Sequence, residues 1–224
     1  MNNNKIIVAI DTPEEERLIE LLNDLNPDLC MIKIGSILFN SLGRRSFDLV
    51  ADKGFNIFFD IKFHDIPNTV AHSILSFKGY PINLLTVHIS GGINMLTRAR
   101  EAAHAINAKI IGVSLLTSLD QKDVERVFFN DIQKVADNLF NLAKEANLDG
   151  VVCSAYELKH AMTNFPNLLK IVPGIRLTSN NDDQKRVMSA VEALNLGANH
   201  LVIGRPITES KYPNTELEKI LETL

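Results

Sequence analysis

The sequence predicts a single (β/α)₈ barrel over residues 1–224. Three observations lead there. Short runs rich in Ile, Val and Leu alternate eight times with stretches of helical periodicity. Those runs are apolar on both sides, as strands of a parallel sheet covered by helices must be. The polar residues that interrupt them fall at the C-terminal ends of the runs, where barrels of this type bind substrates. A doubly wound open sheet also accepts the alternation, and spacing alone does not separate the two. A chain of 224 residues, 46% of them hydrophobic, suffices for one core and is short for two typical domains. No linker or low-complexity stretch marks a boundary.

The first strand is Lys5 to Ile10, ending at Asp11, and Thr12-Pro13 opens a helix with Leu18, Ile19, Leu21, Leu22 and Leu25 on its apolar side. Leu29 to Ile34 is the second strand, with Lys33 near its end and Gly35 after it; a helix from Leu38 to Lys53 closes at Gly54. The third strand starts at Asn56 and runs into a cluster of charges, and Val70 to Lys78 is its helix. Leu84 to Ile89 is the fourth strand, ending near His88, and a helix from Leu96 to Ile106 follows. The fifth, Lys109 to Leu116, ends at Thr117-Ser118, and Asp131 to Ala146 is helical. Gly150 to Ser154, Leu169 to Ile175 and His200 to Ile203 complete the strands, with helices from about Glu157, from Val187 to Leu196 and from Thr215 to Leu224.

Composition narrows the function. The net charge is −4 and no basic run stands out, which argues against nucleic acid as a partner. The apolar runs are far too short for a bilayer span, and Met1 to Lys5 carries no apolar leader. Cys30 and Cys153 lack metal-ligand spacing and sit in apolar runs; they read as reduced core residues of a cytoplasmic protein. A phosphate-bearing small molecule needs only a few local donors and stays open.

The richest stretch is Asn56 to Thr69, N-I-F-F-D-I-K-F-H-D-I-P-N-T. Asp60 and Lys62 are two apart, so on a regular strand they leave by one face. Asp65 follows three residues on, before Ile66-Pro67. Each has an ordinary reading: Asp65 as a helix cap ahead of a first-turn proline, Asp60 and Lys62 as a structural ion pair. An acid, a base and an acid at the mouth of a buried strand are costly to hold together, which favours function over structure. His88, Thr117 and Ser154 taken singly are ordinary strand-end residues.

A second cluster reads as a phosphate site. Pro173-Gly174-Ile175-Arg176 follows the seventh strand and Ile203-Gly204-Arg205-Pro206 the eighth, the two positions that cradle phosphate in such barrels. Gly204 lets backbone N–H groups approach oxygen atoms, and Arg205 offers a planar fork. A lone G-R-P is an ordinary tight turn; the P-G-I-R one unit earlier favours the phosphate reading. Leu177 to Lys185 is polar and lacks apolar anchors, as a lid would whose Gln184 reaches the phosphate.

These residues resemble the orotidine 5′-phosphate decarboxylase family in its short bacterial form. D-I-K-F-H-D-I-P-N-T at Asp60 to Thr69 is similar to its signature; Asp-x-Lys-x-x-Asp is shared with wider barrel relatives and Ile-Pro-Asn-Thr narrows it. The resemblance extends through A-I-D at Ala9, I-K-I-G at Ile32, L-L-T-S at Leu115, V-C-S-A at Val152, D-Q-K-R-V at Asp183 and V-I-G-R-P-I-T at Val202. One departure is Leu177, where family members often have proline after P-G-I-R. The resemblance implies cofactor-free, metal-free decarboxylation of orotidine 5′-phosphate to UMP by a homodimer with shared sites. It implies Lys33, Asp60 and Lys62 from one subunit, with Asp65 and Thr69 reaching the site of the other. Asp11 and Lys33 would bind ribose hydroxyls, Thr117 the nucleotide near its pyrimidine, and Arg176, Gln184, Gly204 and Arg205 the phosphate. Lys62 is then the proton donor to C6, in an alternating network that Lys33 completes.

Three rivals share parts of this pattern. A metal-dependent sugar-phosphate lyase or synthase shares Asp-x-Lys-x-x-Asp, but Lys33 stands where those relatives look to carry an acid for the metal. A Schiff-base aldolase needs a neutral amine, which adjacent carboxylates oppose. A non-catalytic phosphosugar-binding barrel has little reason to hold four charges together.

Overall fold

The computed structural model describes residues 4–175 and 188–224. Eight parallel strands close into a barrel in which each pairs with its sequence neighbours and the last returns to the first. The strands are β1 (Ile6–Ile10), β2 (Cys30–Gly35), β3 (Ile57–Phe63), β4 (Ile82–His88), β5 (Lys109–Val113), β6 (Gly150–Val152), β7 (Leu169–Pro173) and β8 (His200–Ile203). The helices are α1 (Glu15–Asp24), α2 (Ser36–Leu42), α3 (Arg45–Asp52), α4 (Pro67–Leu75), α5 (Ile93–Ala105), α6 (Gln121–Phe128), α7 (Ile132–Glu145), α8 (Ala155–Asn164), α9 (Ala190–Asn195), α10 (Arg205–Thr208) and α11 (Pro213–Glu222). Closure leaves no exposed sheet edge and excludes the open sheet.

Strand alternation separates two cores. One side of each strand packs on the helices, in a layer that includes Ile6, Ile32, Phe59, Leu85 and Ile110. The other side meets inside the barrel, where Ile7, Met31, Phe58, Leu84, Ile111 and Ile171 pack with Val152 and Val202. Each of the eight strands gives one residue to this inner ring, which forms an apolar floor of branched side chains. Two residues further along, the inward positions include Ala9, Lys33, Asp60 and Thr86, so polarity begins one layer above the floor.

Three expectations are revised. The helix expected over 38–53 is two helices, because Gly43 adopts φ 55° between them and its N–H donates to Phe39 O at 2.8 Å. Leu38, Phe47 and Val50 are buried on both sides of the break, so the apolar pattern runs through it unmarked. The helix α6 was not expected: Val124 is its only buried residue. Its signal is the cap, where Asp120 accepts from Asp123 N–H and the Asp123 carboxylate accepts from Asp120 N–H. Finally, β5 ends at Val113 rather than Leu116.

Candidate active site

The charged residues gather along one arc of the rim, from β1 to β4. Lys33 rises from β2, beside Ala9 of β1 in the register, and its Nζ donates to Asp11 Oδ1 at 2.8 Å. Lys33 is only 8% exposed, so its ammonium depends on that carboxylate. Gly35 makes the pairing possible: a Cβ there would lie 2.5 Å from Lys33 Nζ and 3.2 Å from Asp11 Oδ1. A side chain there would push the Lys33 ammonium from its present position.

Asp60 and Lys62 form the second pair, Nζ to Oδ1 at 2.9 Å. They do not meet by simple alternation. The β3–β4 register steps from Phe59 opposite Leu85 to Phe63 opposite Val87, so Asp60, Ile61 and Lys62 all lie opposite Thr86. This bulge carries Lys62 at φ 54°, a left-handed conformation unusual for a long side chain, which costs on the order of 1 kcal/mol or more. Bulges beside active sites re-aim side chains, and this one folds Lys62 back toward Asp60. The fully buried Thr86 hydroxyl accepts from Lys62 N–H at 2.9 Å and donates to Asp60 Oδ1 at 3.0 Å. Thr86 escaped the sequence reading, which weighed the ends of strands. Its signal was a lone hydroxyl inside the apolar run L-L-T-V-H, at an inward position two residues before His88.

The bulge has firm backing. Behind it Phe59 packs against Phe47 and Phe77 with ring centroids at 4.8 Å, and against Phe39 at 5.2 Å. Edge-on and tilted aromatic contacts of this kind add about 0.5–1.5 kcal/mol each beyond burial, so the strand carrying the charges is held from its outer face.

Within one chain the charges form two pairs, Asp11–Lys33 and Asp60–Lys62. Asp65 stands apart on the exposed β3–α4 turn, where its Oδ1 accepts from Ile66 N–H at 2.6 Å. It does not cap α4, whose N-cap is Ile66 with Pro67 next. Thr69 lies in the first turn of α4 and is exposed. Beside Asp65 the His64 and His88 rings lie 5.2 Å apart. Burial, with the charges of His64 and Lys62, pushes His88 below the ordinary 6.5, against the opposing pull of Asp60.

The ends of β5 and β8 flank this arc. Thr117 is exposed in the loop between β5 and α6. Gly204 caps α10, and Arg205, the first residue of that short helix, is exposed. A Cβ on Gly204 would meet only Ala9 O at 3.5 Å and Ala9 Cβ at 3.6 Å, ordinary contacts that leave the position sterically permissive within the chain. Gly174 differs: its φ of 77° suits glycine. Arg176, Gln184 and the expected lid over 177–185 lie outside the described residues. Ser154 is a helix cap, accepting from Glu157 N–H while its own hydroxyl donates to Glu157 Oε2 at 2.7 Å. Among the described residues no three His, Cys, Asp or Glu side chains converge as metal ligands.

Known proteins are similar to this chain in sequence and in fold. The Orotidine 5′-phosphate decarboxylase / HUMPS family pattern matches residues 4–220. An orotidine 5′-phosphate decarboxylase of Wigglesworthia glossinidia brevipalpis is 41% identical over 230 residues, covering 100% of this chain and 99% of that protein. One from Coxiella burnetii is 42% identical over 223 residues, covering 96% and 94%. The crystal structure of orotidine 5′-phosphate decarboxylase from Lactobacillus acidophilus superposes with a TM-score of 0.86 at 31% identity, covering 98% of each chain. With a pattern match over nearly its whole length and relatives of this closeness, the chain belongs to the orotidine 5′-phosphate decarboxylase / HUMPS family.

Proposed function

We propose that this chain decarboxylates orotidine 5′-phosphate to UMP, the closing step of pyrimidine nucleotide synthesis, with Lys62 as the proton donor. The observation that carries the reading is the Lys62 ammonium, held 2.9 Å from Asp60 at the barrel mouth, in a chain whose relatives at about 40% identity are decarboxylases of that nucleotide. In the reaction the bond from C6 to the carboxylate breaks and its electron pair stays on C6, in an orbital the ring delocalises poorly. A fixed positive charge beside C6 lowers that barrier most. Lys62 supplies the charge, then gives its proton to C6 as carbon dioxide leaves; the neutral amine recovers a proton from water. Asp60 keeps the ammonium charged and faces the departing carboxylate.

The remaining roles follow the same reading. Asp11 and Lys33 hold the ribose, Thr117 lies near the pyrimidine, and Gly204 and Arg205 receive the phosphate together with Arg176 and Gln184. The protein works as a homodimer. Asp65 and Thr69 are exposed on the rim, Ile66 between them is 67% exposed, and a cavity of about 570 Å³ opens against His64, Asp65, Ile66, Pro67, Ser90 and Gly91. A second copy seated there would receive Asp65 beside its own Lys62. The cytoplasm is the expected compartment: Cys30 and Cys153 are buried free thiols, pushed by burial up to about 12, and no described helix is long and apolar enough to cross a membrane.

The test is loss of orotidine 5′-phosphate absorbance with release of carbon dioxide, in EDTA. Turnover unchanged by the chelator is expected. Folded protein that never converts the nucleotide sinks the proposal, and activity that EDTA abolishes would favour the metal-dependent lyases that share this barrel. A partner-shared site is tested with mixed Lys62→Ala and Asp65→Ala subunits, which regain activity in the hybrid with one intact site; verified heterodimers without recovery rule sharing out.

A further inference from the structure

The bulge in β3 poses a problem that the charged residues do not solve. Opposite Thr86 the β3–β4 ladder is interrupted, so the Lys62 N–H loses its strand partner in a part-buried position. A buried donor left unpaired costs about 1–3 kcal/mol. Lys62 must also keep its left-handed backbone, φ 54°, for its ammonium to return to Asp60.

We infer that Thr86 is the positioning residue of the decarboxylation: its buried hydroxyl pins the bulge and fixes which Asp60 oxygen holds the Lys62 ammonium. The hydroxyl has one proton and accepting lone pairs, and both capacities are used. It accepts from Lys62 N–H at 2.9 Å and donates to Asp60 Oδ1 at 3.0 Å. The same Oδ1 receives Lys62 Nζ at 2.9 Å. Two donors therefore converge on one carboxylate oxygen, and among the described residues no hydrogen bond reaches Oδ2. That leaves Oδ2 without a donor among the described residues, free to face the substrate on the proposed reading. Without the hydroxyl, Asp60 is free to rotate about its last bond and hold the ammonium with both oxygens, drawing it off the line to C6.

Thr86 touches no part of the proposed phosphate or ribose site, so its removal should act on the chemical step. The inference rests on the decarboxylase reading, and wild-type turnover in the same assay tests that reading separately. Thr86→Val keeps shape and β-branching and removes the hydroxyl. It should lower kcat about 10- to 100-fold while leaving KM and the affinity for UMP within about 3-fold. Thr86→Ser restores the hydroxyl and should stay within about 3-fold of wild-type kcat. Amide exchange at Lys62 should speed up in the valine variant and not in the serine one. Wild-type kcat in Thr86→Val overturns the inference, as does a serine variant no better than valine, or UMP affinity lost in step with kcat. If Thr86→Val does not fold, Thr86→Cys takes its place as the poor hydrogen-bonding partner, and equal kcat in Cys and Ser overturns it. If the wild type itself is inactive, Lys62 amide exchange unchanged by the variants overturns it.

Discussion

The two halves of the barrel mouth are built on different plans. At the ends of β1 to β4 the chain completes its own contacts: Asp11 with Lys33, Asp60 with Lys62 and Thr86, and aromatic rings behind them. At β5 and β8 the candidate residues Thr117, Gly204 and Arg205 are exposed or, at Gly204, sterically permissive. The first half is held by its own contacts, so on the proposed reading its charges are preorganised and the stability of the fold maintains them. On the proposed reading the second half is completed by the non-reacting phosphate, whose binding energy would drive the chemistry elsewhere.

That contrast can be broken from either side. The largest effect is expected at Lys62. Lys62→Ala should cut kcat by more than ~10³-fold while UMP binding stays measurable; substantial residual decarboxylation would remove Lys62 from the chemistry. On the other half, Arg205→Ala should raise KM and lower kcat/KM by about 10²-fold or more. A few-fold change would mean that the phosphate is held elsewhere. Gly35→Ala drives a methyl onto Lys33 Nζ and should cost about 10²-fold in kcat/KM with little change in Tm, since misplacement of a charged group by about 1 Å is that expensive. An unaffected enzyme would show that the Asp11–Lys33 pair tolerates displacement. Phe59→Ala should lower stability by about 3–5 kcal/mol, read by denaturant unfolding, and thereby test whether the preorganised half depends on its aromatic backing.

The smallest effect concerns acid. His88 is pushed below 6.5 in the fold, while the unfolded chain takes up its proton near 6.5. The unfolded state therefore binds more protons as pH falls through 6.5, and stability declines from there down to the folded value. His200 is lowered too, by burial first, so His88→Asn should remove only part of the fall in Tm between pH 7 and 5. A Tm profile unchanged by that substitution would show that His88 does not drive it.

The alternation of runs and the polar residues at their ends pointed to the barrel and its polar rim, and the closed strand order excluded the open sheet. Lys33, Asp60 and Lys62 were legible because charges at the ends of apolar runs are expensive and conspicuous. The bulge was not, since nothing in F-D-I-K-F announces that three residues will oppose one. Thr86 was hidden for the same reason: a threonine within a strand looks like an ordinary β-former until the register shows what it faces. Gly35 was placed only as the residue after the second strand, and the position of Lys33 Nζ is what shows how near a side chain comes to it. The sequence pattern also carried over Gly43, because both helices bury the same kinds of side chain.

The ring of Ile7, Met31, Phe58, Leu84, Ile111, Val152, Ile171 and Val202 has a consequence for traffic. It plugs the barrel from beneath with hydrocarbon, so nothing passes along the barrel axis below the charged arc. On the proposed reading, nucleotide and released gas would then share the mouth at the C-terminal ends of the strands, where one must leave before the next arrives.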